Sequence, residues 1–307
     1  MSIKVRKYSE WKDTAIIVHL ITQMMGKVKL SRMESQPEWA HVLLSLTSDG
    51  FTTGLIPYGD KSFSIEYNIR ESKLVTTGID GRESGFSLGG DTPVSDYYRE
   101  FKRMLTDVMC ETEIYTMPQE MSVKTHFHED HEKRMYDPDA ARDFFRASVF
   151  AYEGISKFVS GYRGKKLMPQ YFWGTFDTTG VLFSGTEQPW PGEGIIEAGA
   201  FDEQMMEFGF WPGDDAFDDP AFYVLTYPFP QNDYTDAGVR PDKAWFSTEK
   251  SEFFFKLADV LAAGDPQAAL HEFLKSGYGI FTRGEGWAHS EWYEKPLLYT
   301  NGSSKLK

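Results

Sequence analysis

Three imidazoles and two carboxylates fall between positions 126 and 131, in Thr125-His126-Phe127-His128-Glu129-Asp130-His131. Nitrogen and oxygen donors this close together are what a zinc ion takes, and a zinc-bound water is a hydrolytic nucleophile. His126, His128, Asp130 and His131 are therefore a candidate metal set for a metal-dependent hydrolase. Zinc is expected only on that alternative; otherwise no cofactor is expected. The competing reading is a solvated polar linker. Residues 121–124 make a weak strand, the charged Glu132, Lys133 and Arg134 follow, and only His271 and His289 remain downstream to complete a site.

The second constellation is aromatic and acidic. It comprises Phe172-Trp173-Gly174-Thr175-Phe176-Asp177, then Glu197, Gly209-Phe210-Trp211-Pro212-Gly213, and Pro220-Ala221-Phe222-Tyr223. Indole and phenol rings give a flat apolar wall, and a carboxylate beside them supplies a hydrogen-bond acceptor or a proton-transfer group. The reading is a pocket for a small polar or cationic ligand. Trp173, Trp211 and Tyr223 would wall it, and Asp177 or Glu197 would act as acceptor or general base, Asp177 ending a strand. Core packing is the alternative for rings at strand spacing. A third set joins Trp39, His41 and Tyr58 with His19, where His41 could reach a cleft beside the first helix or serve as a hydrogen-bonded structural histidine. No nucleophile elbow, phosphate-binding loop or dinucleotide fingerprint occurs.

Bulk properties narrow the partners. A formal charge of −14 with scattered Lys and Arg repels a phosphate backbone and an anionic membrane surface, so neither nucleic acid nor membrane is an expected partner. The single cysteine, Cys110, permits no internal disulfide; it reads as a buried thiol, and a reducing, cytoplasmic location is expected. A non-catalytic adaptor with an exposed aromatic patch is the remaining alternative to a small-molecule binder.

The elements that must position these residues follow from periodicity. A first helix carries Trp11, Thr14, Ile17, Val18, Ile21, Met24 and Met25 on its apolar stripe, with Ser9 as cap, His19 and Gln23 on its polar face, and Gly26 closing it. Alternation at Val42, Leu44 and Leu46, a run over 51–56, and Phe63, Ile65, Tyr67 and Ile69 predict an antiparallel meander of four or five strands. Thr92-Pro93 opens a second helix and Asp137-Pro138 a long third one. Strands are expected at 171–176, 181–184 and 222–227, a short helix over 198–208, and a last helix from Asp265-Pro266. The fold class is α+β: two helix-plus-antiparallel-sheet halves packed into one compact unit, residues 1–115 and 137–307, with a linker over 116–136.

Two family resemblances bear on function. His-x-His-x-Asp-His is similar to the spelling of metallo-β-lactamase-like hydrolases, but without that fold's preceding buried strand or its later ligands. A longer set resembles the signature of an uncharacterised bacterial family catalogued as a domain of unknown function. It comprises Trp11, His19, Gln23 and Gly26-Lys27; Thr52-Thr53 with Ile56-Pro57-Tyr58-Gly59; Tyr136-Asp137-Pro138 with Ala140-Ala141-Arg142; Phe172-Trp173-Gly174 with Phe176-Asp177; Phe183-Ser184-Gly185; and the segments at 209–213 and 220–223. That likeness runs over nearly the whole chain and implies a bacterial cytoplasmic protein forming one continuous unit, with no mechanism attached. His126 and His128 fall outside that signature.

Overall fold

The computed structural model describes residues 3–297. It is an α+β protein of helices and open antiparallel sheets. The chain forms two compact units. Residues 3–151, 170–178 and 210–221 make the first; 152–169, 179–209 and 222–297 make the second.

The first unit is organised on α1 (Lys12–Arg32), entered through a 3-10 turn at Tyr8–Glu10. Residues 14–29 are buried without a break. A helix enclosed all round has no solvated face, which corrects the expected polar face: His19 and Gln23 lie inside. The helix also runs past Gly26 instead of closing there, because Gly26 is where the indole of Trp173 seats. A Cβ at this position would overlap the indole nitrogen and its neighbouring carbons.

After a 3-10 stretch at Pro37–Val42 come β1 (Ser45–Leu46), β2 (Gly50–Thr52), β3 (Ile56–Tyr58), β4 (Lys61–Asn68), β5 (Lys73–Gly78) and β6 (Glu83–Ser87). They form an antiparallel sheet of six strands where four or five were expected, in the order β1-β2-β4-β5-β6 with β3 also on β4. Phe63, Ile65 and Tyr67 are fully buried while their neighbours are half-exposed, so period-two alternation fixes which face of β4 meets the core. Val42, Leu43 and Leu44 are all buried, and Leu44 pairs with Tyr171, so this stretch is not the alternating strand its spelling suggests.

A small pair, β7 (Gly90–Asp91) with β8 (Met135–Tyr136), brackets α2 (Val94–Asp107). The buried stripe of α2, Val94, Tyr97, Tyr98, Phe101, Met104 and Leu105, has i, i+3, i+4 spacing. Cys110 is buried, which pushes its thiol pKa up. Residues 116–134 are irregular but belong to this unit, and Phe127, Asp130 and Arg134 are buried. α3 (Pro138–Val159) begins where Asp137-Pro138 predicts.

The strands of the second unit are β9 (Lys166–Phe172), β10 (Asp177–Glu187), β11 (Glu203–Trp211), β12 (Ala221–Tyr227), β13 (Trp245–Ser247) and β14 (Glu252–Lys256), in the order β13-β14-β12-β11-β10-β9. β9–β12 each have an end in the first unit. Its helices are the end of α3, α4 (Ile195–Ala200), α5 (Leu257–Leu261), α6 (Pro266–Gly284) and α7 (Ser290–Tyr293). Asp265 caps α6 by accepting the Ala268 N–H at 3.0 Å.

Two sequence expectations fail here. Residues 203–208 are strand, not helix, because Gln204, Met205 and Met206 are buried in succession, and a strand covered on both faces loses its alternation. The strand expected over 171–176 ends at Phe172, and residues 173–176 are the turn of a hairpin. Asp177 therefore opens β10 and does not end a strand.

Candidate functional site

The polar residues of α1 lie at positions 19, 23 and 27 and so share one face, because four residues make about one turn. From His19 to Lys27 the stripe spans about 12 Å at roughly 1.5 Å per residue. Since α1 is enclosed, each of these groups must find its partners inside the protein. His19 Nε2–H donates to the carbonyls of Trp173 (2.9 Å) and Gly174 (3.0 Å), holding the hairpin turn. With the proton on Nε2, the Gln23 amide nitrogen 3.1 Å away is a neighbour, not a partner. Gln23 instead pairs with the backbone of Gln119: its Nε2 donates to the Gln119 carbonyl at 2.7 Å and its Oε1 accepts the Gln119 N–H at 2.9 Å.

The His19 ring stacks on Phe176 with centroids 4.5 Å apart, Phe176 stacks on Phe144 at 5.1 Å, and Phe144 on Trp11 at 5.3 Å. Burial pushes the imidazole pKa from 6.5 to about 4, against the opposing effect of the Gly174 and Trp173 carbonyls. His19 is thus neutral and structural at neutral pH. Below pH 6.5 the unfolded chain takes up a proton that the folded chain refuses. Stability from this group is whole above pH 6.5 and is lost as the pH falls towards 4, by about 3 kcal/mol in all. A His19→Gln variant should be less stable than wild type at pH 7, with the gap narrowing in denaturant melts towards pH 4.5. A gap constant over that range would show that His19 is not the titrating group.

Lys27 is 2% exposed. Its Nζ donates to Gln119 Oε1 at 2.9 Å and lies over the rings of Tyr115 (5.4 Å) and Trp173 (5.7 Å). Desolvation pushes its pKa from 10.5 to about 8, and no charged neighbour contributes to the shift. Tyr115 is 68% exposed, so the outer wall of this cluster faces solvent. The Trp173 indole N–H donates to the Val42 carbonyl at 2.9 Å. The Glu120 carboxylate lies over Gly174, where a Cβ would meet it. Asp177 is buried and accepts a hydrogen bond from the Thr175 hydroxyl.

The structure thus gathers His19, Trp173 and Asp177 on one hairpin-and-helix contact. The stretch bearing Trp39 and His41 is tied to it through Val42. Trp39 and His41 rings are 5.8 Å apart, and His41 Nδ1 accepts the Gln36 N–H at 3.1 Å. Glu38 and Trp39 both hold left-handed backbone, φ 51° and 54°, a conformation that disfavours residues bearing a Cβ. Tyr58 stands elsewhere: its ring lies under the Arg32 guanidinium, 4.6 Å away, and Arg32 is about 20 Å beyond His19 along α1 at roughly 1.5 Å per residue. Trp211 stacks on Phe217 at 5.6 Å in the 210–221 segment. Glu197 and Tyr223 belong to the second unit. Glu197 is exposed on α4, while the Tyr223 hydroxyl lies 2.6 Å from Thr179 Oγ1.

The histidine cluster has partners of its own. His126 Nδ1 lies 2.8 Å from the Thr116 hydroxyl and His131 Nδ1 2.9 Å from that of Ser95. Asp130 forms a buried ion pair with Arg134 at 2.9 Å, and His128 is exposed beside Glu129. Among the described residues, no three His, Cys, Asp or Glu side chains are placed to hold a metal ion together.

Lys27, Tyr115, Gln119 and Glu120 were not singled out as site residues by sequence reasoning. Beyond its place in the family-like set of residues, the local signal for Lys27 is the i, i+4, i+8 spacing with His19 and Gln23. Trp190, Phe201, Tyr227 and Phe229 in the second unit form another aromatic cluster. Its centroids are 4.8–6.4 Å apart, so the rings pack on one another and leave no room for a ligand between them.

A family of unknown function, DUF5996, matches residues 5–294. The chain belongs to that family. Neither a curated protein nor a solved structure matches it. For this DUF5996 member, function must be read from the site itself. Among its described residues no helix is long and apolar enough to cross a membrane.

Proposed function

We propose that this DUF5996 protein binds a small polar molecule at the α1 stripe. An oxygen of the ligand would meet Lys27 Nζ beside the rings of Trp173 and Tyr115. The observation that carries this reading is the buried amine. An ammonium has three donors, and among the described contacts Lys27 uses one of them, on a neutral amide oxygen. Burying a charge without a carboxylate beside it is unfavourable, and an oxygen acceptor arriving from solvent would relieve that. The same geometry argues against a cationic ligand, because an ammonium already sits against both rings.

Thermal-shift measurements across carboxylic acids, 2-oxo acids, aldehydes, amides and amines test the reading. An oxygen-bearing compound is expected to raise the melting temperature; saturation at a hundredfold excess over Kd is worth about 2.7 kcal/mol. The shift should vanish in Lys27→Met and weaken in Trp173→Phe. If only amines shifted the transition, or if Lys27→Met responded like wild type, the proposed site would be wrong.

A further inference from the structure

Resting on that reading, we infer that the ligand class is carbonyl compounds, aldehydes or 2-oxo acids, and that Lys27 captures them covalently as an imine. Lys27 Nζ is fixed in the C-terminal half of an enclosed helix, pinned by a single neutral acceptor and flanked by two ring faces. Such a setting favours the uncharged amine, whose lone pair is the nucleophile. The lowered pKa agrees with this, since an ordinary surface lysine near 10.5 is almost wholly protonated at neutral pH.

The reaction balances without an oxidant or a metal. The Nζ lone pair attacks the carbonyl carbon, and the C=O π pair moves to oxygen and is protonated. The carbinolamine then expels that oxygen as water while nitrogen gives up its protons to solvent, leaving C=N. One water leaves for each imine formed. The buried Trp173 ring gives a planar imine a flat surface to lie against. The wall that must move to admit the carbonyl is Tyr115, the exposed member of the cluster.

The folded protein would be incubated at pH 7.5 with glyoxylate, pyruvate or benzaldehyde, reduced with borohydride, and mapped by peptide mass spectrometry. Lys27 is expected to carry the reduced adduct at least tenfold more often than any exposed lysine, and prior unfolding in urea should erase the preference. Lys27→Arg retains the charge but cannot form the imine, so it should fold, as judged by circular dichroism, and show no selective label. Adducts spread over exposed lysines with Lys27 unmodified would overturn the covalent inference. If a carbonyl-free oxygen compound still shifted the melting temperature, non-covalent binding at the site would survive that result. If no oxygen compound did so, both readings would fall together.

Discussion

Replacing Lys27 by methionine is expected to stabilise the protein at neutral pH while abolishing ligand binding. Burial lowers the Lys27 pKa from 10.5 to about 8. Between these values the unfolded chain holds a proton that the folded chain has released, so stability rises with pH across that window. Equivalently, the contribution is whole above pH 10.5 and is lost as the pH falls through 8, leaving the native state about 3 kcal/mol worse at pH 7 than if the group were neutral. Methionine has nearly the same shape, carries no charge and fills irregular space. It forfeits the hydrogen bond to Gln119, about 1 kcal/mol, and the attraction to two rings, about 0.5–1 kcal/mol. A net gain of about 1 kcal/mol at pH 7 remains, a rise of a few degrees in Tm for a unit of this size. At pH 10, where the lysine is neutral in the fold, the advantage should disappear or reverse. Urea melts at both pH values decide the matter: a variant less stable than wild type by the same amount at each would make Lys27 an ordinary structural anchor. A residue whose removal improves the fold and ends binding fits a site held at the expense of stability.

Much of the fold was legible in the sequence, for reasons that are local. β4 declared its buried face by alternation, and α3 and α6 announced their starts with Asp-Pro, since proline is tolerated in the first turn and a carboxylate caps the free N–H groups. What was not legible depended on distant partners. Gly26 has the spelling of a helix terminator, and only the arrival of Trp173 from far along the chain explains a glycine inside a helix. Residues 203–208 read as helix because a strand covered on both faces shows no period of two. Trp173, His19 and Asp177 were recognisable by residue type. Glu197 and Tyr223 were grouped with Trp173 and Asp177 by residue type, and they belong to the other unit. Lys27 escaped because lysine is mostly solvated, so a lysine after a presumed helix end invites no suspicion until the helix is seen to continue through it.

The contact that makes the site possible should yield the largest losses. Trp173→Ala would empty the space of a buried indole and leave the Val42 carbonyl without its donor, and truncations of this kind destabilise by about 3–5 kcal/mol. Gly26→Ala acts on the same contact from the opposite side. Its methyl group would overlap the indole ring, and because both partners are backed by packed neighbours the overlap cannot be relieved by a surface movement. Overpacking of this kind typically costs about 1–3 kcal/mol, and occasionally more, even though alanine is the better helix former by about 1 kcal/mol. In the double variant the indole is absent, so the methyl introduced by Gly26→Ala meets vacated space and the helix-propensity gain is realised. The combined loss should therefore fall below the sum of the single losses by about 1 kcal/mol or more, and Gly26→Ala made in the Trp173→Ala background should be neutral or stabilising. Additive losses in denaturant melts would mean that glycine at this position serves the backbone of α1 alone and that Trp173 is positioned by other contacts. Losses smaller than additive would establish that the helix carrying Lys27 and the hairpin carrying Asp177 meet through this glycine and the indole seated on it.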